Sequence, residues 1–316
     1  MDKNIDVSEN NLLNHSPEIL DILLADRTTG HNILWATEEY KYLGEQFRAQ
    51  EEIKINLITG ESGSVIQPRV LKEKEKQTDR TKANAEVFTP VWVCNAQNNL
   101  IDNQWFGREN VFNLEDDKRW KTTKERIYFD TEGEKTWKKY VDEKRLEMAC
   151  GEAPYLVSRY DTTTGEYIPI EDRVGIIDRK LRVVNENVNN EKAWLEWAQR
   201  AIESSYGFEF QGDSLLLARE NILATFTDNL ETQLSRRATD EEIKEIATII
   251  SWNIWQMDGL TYTVPYSDGA IEENYQISLF DLENEILEGG EQHCKIKDWR
   301  TKEIVEFRSL ISKGAL

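Results

Sequence analysis

A chain of 316 residues, 39% hydrophobic and 31% charged with 10 tryptophans, can bury a sizeable core and does not have the composition of a disordered segment, so a globular fold is expected. No apolar run approaches the roughly 20 residues of a membrane span, the first residues, MDKNIDVSENNLLNHS, lack the apolar stretch of a secretion signal, and a cytoplasmic protein without membrane partners is the expectation. The formal net charge of −20 opposes binding to nucleic-acid phosphates, and three cysteines far apart in the chain with three histidines, none of them with a partner at ligand spacing, offer neither a disulfide framework nor a metal centre.

Residues 1–80 read as a helical lead-in followed by a connection. Ile19, Leu20, Ile22, Leu23 and Leu24 recur at helical spacing, and Asn32-Ile33-Leu34-Trp35-Ala36 reads as a buried strand or short helix. From Glu61 to Asn84, Gly, Ser, Gln and charges around Pro68 predict an exposed segment. Residues 81–270 form the expected core. Thr89-Pro90 is expected to start a helix, capped by Thr89, through Val91, Trp92, Val93 and Asn95 to Leu100.

A Lys-rich region follows. Its cluster Lys118, Arg119, Lys121, Lys124 and Arg126, like the earlier Arg69, Lys72, Lys74, Lys76, Arg80 and Lys82, offsets the acidic balance locally; solvated surface charge is the plainer reading of either cluster taken alone. Residues 144–149 predict a strand running into the small-residue turn Cys150-Gly151-Glu152-Ala153, with Pro154 early in a helix. Between Asp161 and Asn190 turn residues surround Arg173, Arg179 and Arg182, which suggests an insertion.

Trp194, Leu195, Trp197, Ala198, Ala201 and Ile202 predict a helix, residues 205–210 a buried strand ending in Glu209, and Asp213 a cap for a helix carrying Leu216, Leu217, Ile222, Leu223 and Phe226. Thr239 with Glu242 forms a capping box, and residues 252–258 read as a further strand. This alternation of strands and helices is the rhythm of a mostly parallel sheet with crossover helices. In residues 271–316, 294–299 and 304–310 read as a β-hairpin around Arg300-Thr301-Lys302.

Four segments taken together, Glu86-Val87-Phe88-Thr89-Pro90, the Cys150 turn, Tyr206-Gly207-Phe208-Glu209 with Leu217-Ala218-Arg219, and Asn253-Ile254-Trp255-Gln256-Met257-Asp258-Gly259-Leu260, lie in the order and spacing of a known family. The chain resembles the DNA adenine methyltransferases of restriction-modification systems, in the branch of type I and type II methylation subunits. The resemblance covers roughly residues 82–262. It implies a Rossmann-like α/β core that binds S-adenosylmethionine and transfers its methyl group to the exocyclic amine of adenine in DNA. Phe88, Thr89 and Pro90 would close over the methionine end, while Glu147, Ala149 and Gly151 would lie along its amino acid. Glu209 would accept both ribose hydroxyls and Asp258 the adenine amine, with Met257 or Ile254 against the ring.

The sequence departs from the family pattern in two places. Ala153 stands for the second glycine of the turn. No Pro-Pro pair exists among the six prolines, so the motif that grips the flipped base is missing. Thr263-Val264-Pro265-Tyr266 follows Asp258 too closely to supply it, which leaves Asp298 with Trp299 as the candidate catalytic pair; hairpin packing is the plainer reading of both. Little sequence remains for target recognition, so DNA specificity is assigned to a separate specificity or nuclease subunit. Two other functions stay open: a methyltransferase-like scaffold that binds cofactor without turnover, and an acidic DNA mimic, the latter on net charge alone.

Overall fold

The computed structural model describes residues 5–72, 89–129, 133–267 and 292–312. At its centre three short parallel strands, β3 (Arg145–Met148), β4 (Ser205–Glu209) and β5 (Ile254–Gln256), stand in the order β3-β4-β5. Two antiparallel hairpins lie apart from this sheet: β1 (Asn113–Asp116) with β2 (Arg119–Thr122), and β6 (Lys295–Lys297) with β7 (Ile304–Glu306). The chain is therefore a mixed α/β protein built on a parallel sheet.

Every residue of β4 is buried, as expected of a central parallel strand covered on both faces. Helices cover one face: α7 (Glu191–Glu203), α8 (Gly212–Leu234) and α9 (Asp240–Asn253). Tyr206, Phe208, Trp255 and Met257 point to the other face, where Cys294, Ile296 and Phe307 of the C-terminal hairpin region complete a second cluster. A short helix, α10 (Arg308–Ser312), ends the described chain.

The lead-in helices α1 (Glu9–His15) and α2 (Pro17–Leu24) join the main core rather than forming one of their own. Pro17 occupies the first turn of α2, whose Ile19, Leu20, Leu23 and Leu24 are fully buried and share a cluster with Ile246 and Ile250 of α9. Thr239 and Glu242 make the expected capping box of α9. In the segment at 32–36, Ile33, Trp35 and Ala36 are buried, and the chain forms isolated bridges instead of a strand. After the short α3 (Ile55–Ile58), the stretch to Lys72 winds through single 3-10 turns, and Ile66 within it is buried although an exposed connection was expected.

Four further expectations need correction. Helix α4 (Val91–Phe106) forms, but Thr89 does not cap it; the Asp161 carboxylate accepts the Val91 amide at 3.1 Å instead. Pro154 begins no helix, since residues 151–156 form successive turns. The presumed insertion contains α6 (Ile176–Asn187), whose Arg179 and Lys180 are buried. Asp213 lies inside α8, accepting the Tyr40 hydroxyl at 2.7 Å, and does not cap it. Helix α5 (Trp137–Asp142), capped by Thr136, leads into β3.

Candidate functional site

The carboxyl ends of β3, β4 and β5 bring Glu147, Gly151, Glu209 and Asp258 to one end of the sheet. The ladder continues past both edges of β4, with Cys150 donating to the Phe208 carbonyl at 2.8 Å and Met257 to that of Glu209 at 3.0 Å. This fixes the turn after β3 and the loop after β5 on either side of Glu209. The turn is tight: Ala149, Gly151 and Ala153 have φ of 48°, 53° and 62°, left-handed values that only Gly adopts without cost. The methyl group of Ala153 is fully buried in the main core, rather than projecting into a ligand path as the sequence suggests.

The two acids here are held by backbone amides. Glu209 accepts Gly151 at 2.8 Å on one oxygen, and Phe210 and Gln211 at 2.9 and 3.1 Å on the other. Glu147 accepts Tyr155 at 3.2 Å and Leu156 at 3.0 Å, which curls the chain back and displaces the expected helix. Burial pushes the carboxyls of both up, that of Glu147 to about 8, against the opposing pull of these amides. Burial and the same two acids also raise the Cys150 thiol well above its ordinary value, so the turn offers no thiolate nucleophile.

Asp258 is half exposed, and one of its oxygens accepts the Leu260 and Thr261 amides at 2.8 and 3.3 Å, an Asx turn that leaves its second oxygen outside that turn. Thr89 and Pro90 approach the same end, because the Tyr155 side chain bonds to Thr89 and the Thr162 hydroxyl donates to the Thr89 carbonyl at 3.2 Å. Ala149 is exposed. Phe88 lies outside the described residues.

Asp298 and Trp299 are separated from this group. The Asp298 carboxylate takes Lys144 Nζ at 2.6 Å, just before β3, and Trp299 Nε1 donates to Asn253 at 2.7 Å, just before β5. Both therefore mark the amino end of the sheet. The Trp299 ring is also covered by Lys297 Nζ, 4.2 Å from its centroid. The hairpin carrying the two residues forms as expected, and its register places them at the amino end of the sheet, opposite to Glu209 and Asp258.

Nothing in the sequence pattern singles out Tyr155, or Gln256, whose side-chain amide bonds Leu34 N, Leu34 O and Phe210 O, each at 2.8 Å. In this way Gln256 ties the lead-in across the carboxyl end. A cleft of about 1210 Å³, lined by Pro90, Trp92, Trp120, Tyr167 and Arg182 among others, opens beside this end. The described residues contain no group of three or more acids, histidines or cysteines able to hold a metal ion, and none of their helices is long and apolar enough to cross a membrane. Comparison with protein-family models, curated proteins and solved structures gives no match to this chain.

Proposed function

We propose that the parallel sheet is the cofactor-binding half of a Rossmann-like methyltransferase core, and that the chain is an S-adenosylmethionine-dependent methylation subunit acting on adenine in DNA beside a separate specificity or nuclease subunit. One observation carries this reading: a tight small-residue turn, a strand-end glutamate and a loop aspartate converge at the carboxyl end of three adjacent parallel strands, the end at which open α/β sheets bind ligands.

The residues present suit an adenosine in their chemistry. Glu209 has four acceptor directions and three amides on them. One ribose hydroxyl would meet the direction left over, and a second would require the Gly151 amide to yield. Asp258 would offer its outer oxygen to the adenine amine, and Thr89 and Pro90 would lie towards the methionine end. The cofactor would supply the electrophilic methyl group, and the chain the acceptors that orient it.

A second reading, a scaffold that binds cofactor without turnover, is favoured by the position of Asp298 and Trp299 beside Lys144 and Asn253. Transfer of labelled methyl groups into adenine-containing DNA by the complex reconstituted with its specificity subunit decides between the two. Methylation that Asp258→Ala abolishes and Asp298→Ala spares supports the enzyme. Cofactor binding without any transfer supports the scaffold, and transfer that depends on Asp298 refutes the carboxyl-end site.

A further inference from the structure

The basic cluster of the β1–β2 hairpin remains unused by the fold. Lys118, Arg119, Lys121 and Lys124 are all exposed and line the cleft, and among the described residues no hydrogen bond or ion pair engages their side chains. Elsewhere in the described residues arginines are largely spent on the protein itself: Arg173 on Asp228, Arg179 on Asp102, Arg200 on Asp142 and Arg236 on Glu242. Four uncommitted cations thus stand close together on one hairpin of a chain of net charge −20.

Several of the cleft's carboxylates are turned to partners within the protein, although only Glu186 is paired with a cation and the others keep their charge. Asp161 accepts Val91 N at 3.1 Å and the Thr163 hydroxyl at 2.5 Å, Asp172 accepts the Thr122 hydroxyl at 2.7 Å, and Glu186 binds Arg182 at 2.8 Å. Asp178 is buried under the Ser158 amide and hydroxyl. Only Glu166 and Glu171 are exposed in the cleft with their side chains unengaged. The hairpin's own Asp116 faces Arg119 across the ribbon, but neither Asp116 nor Asp117 lines the cleft.

The ribbon is also anchored. Trp120 Nε1 donates to the Asp172 carbonyl at 2.8 Å, and Arg182 donates to the Thr123 carbonyl at 2.6 Å. The cations thus project from a fixed edge. Opposite them Trp92, half exposed on the first turn of α4, has no aromatic partner among the described residues and forms part of the cleft wall with Tyr167.

We infer that this cleft is a groove for a single nucleic-acid strand, its phosphates on Lys118, Arg119, Lys121 and Lys124 and a base against Trp92. A groove that combines backbone-tracking cations with an open aromatic face suits single strands, whose bases are free to stack. Pro90 lies in the cleft wall next to Thr89, to which the Tyr155 side chain bonds. Binding itself requires neither cofactor nor methyl transfer and stands apart from the proposed enzyme activity.

Fluorescence anisotropy of a labelled single-stranded oligonucleotide, measured without cofactor at several salt concentrations, tests the inference. The wild-type protein binds, and binding falls as salt rises. The variant K118Q/R119Q/K121Q/K124Q loses at least tenfold in affinity, and its salt slope shrinks by up to about 3, as four phosphate contacts on a single strand require. Trp92→Ala weakens binding several-fold while circular dichroism stays unchanged. A control of equal charge, K41Q/K54Q/K192Q/K302Q, stays within twofold of wild type. Equal loss in the control, no wild-type binding at low salt, or tighter binding of the duplex with Trp92→Ala neutral each overturns the inference.

Discussion

Glu147 and Glu209 are buried acids with amide partners and no cation, and this determines how the site responds to pH. The unfolded chain holds the Glu147 carboxyl near 4.5 and the fold holds it near 8. Between these values the folded protein carries a proton that the unfolded chain has lost, so this group's stabilising effect is present below about 4.5 and is lost as pH rises towards about 8. Each pH unit in that window costs about 1.4 kcal/mol. Glu147→Gln is expected to remove that slope, which thermal melts from pH 5 to 8 will show as a smaller fall in Tm than in wild type. Glu220, midway along α8, is 1% exposed with neither oxygen hydrogen-bonded, beside the equally buried Glu9. A buried acid without a partner destabilises its surroundings, so Glu220→Leu should raise stability by about 1–3 kcal/mol; a lower Tm in calorimetry would contradict that.

At the scale of elements, the crossing of the lead-in over the start of α8 is the tightest joint. A Cβ on Gly212 would lie 2.0 Å from the Leu34 carbonyl oxygen and 2.9 Å from Ile53 Cδ1, and backbone on one side cannot give way. Gly212→Ala should cost about 2 kcal/mol or more. Gln256→Ala, which strands the buried Leu34 amide with two carbonyls, should cost a similar amount; urea melts measure both. Elements with local punctuation were legible in the sequence: α2 with Pro17, α9 with Thr239 and Glu242, and β4 ending at Glu209. Elements decided by distant partners were not. The helix expected at Pro154 is lost because Glu147 captures the amides of Tyr155 and Leu156. Helix α6 lies in the stretch that reads as a turn-rich insertion, and its Arg179 and Lys180 are buried only because Asp102, Asn95, Asn99 and the carbonyls of Glu143 and Ser204 surround them.

For the whole molecule, the arrangement of the candidate site was legible only in part. The convergence of the Cys150 turn, Glu209 and Asp258 follows from three parallel strands in sequence order, a pattern that hydrophobic rhythm and small residues convey. The place of Asp298 and Trp299 depends on which end of the sheet the C-terminal hairpin meets, and its anchors, Lys144 and Asn253, are far away in sequence. The cleft was equally hidden, because its cations, aromatic wall and carboxylates come from four separate segments, 90–92, 118–124, 161–172 and 178–186. Arg219 binds the parts together: fully buried in α8, it donates to the carbonyls of Leu23, Ala25, Ser251 and Ile254 and so joins lead-in, α9 and β5. Arg219→Met should therefore loosen the lead-in, visible as faster amide exchange in residues 17–36. The central claim, an adenosine held between Glu209 and Asp258, is tested most directly by calorimetric titration with S-adenosylmethionine. One equivalent should bind to the wild-type protein, with an affinity at least tenfold weaker in both Glu209→Gln and Asp258→Ala. No binding to the wild-type protein, or equal affinity in all three, would contradict it.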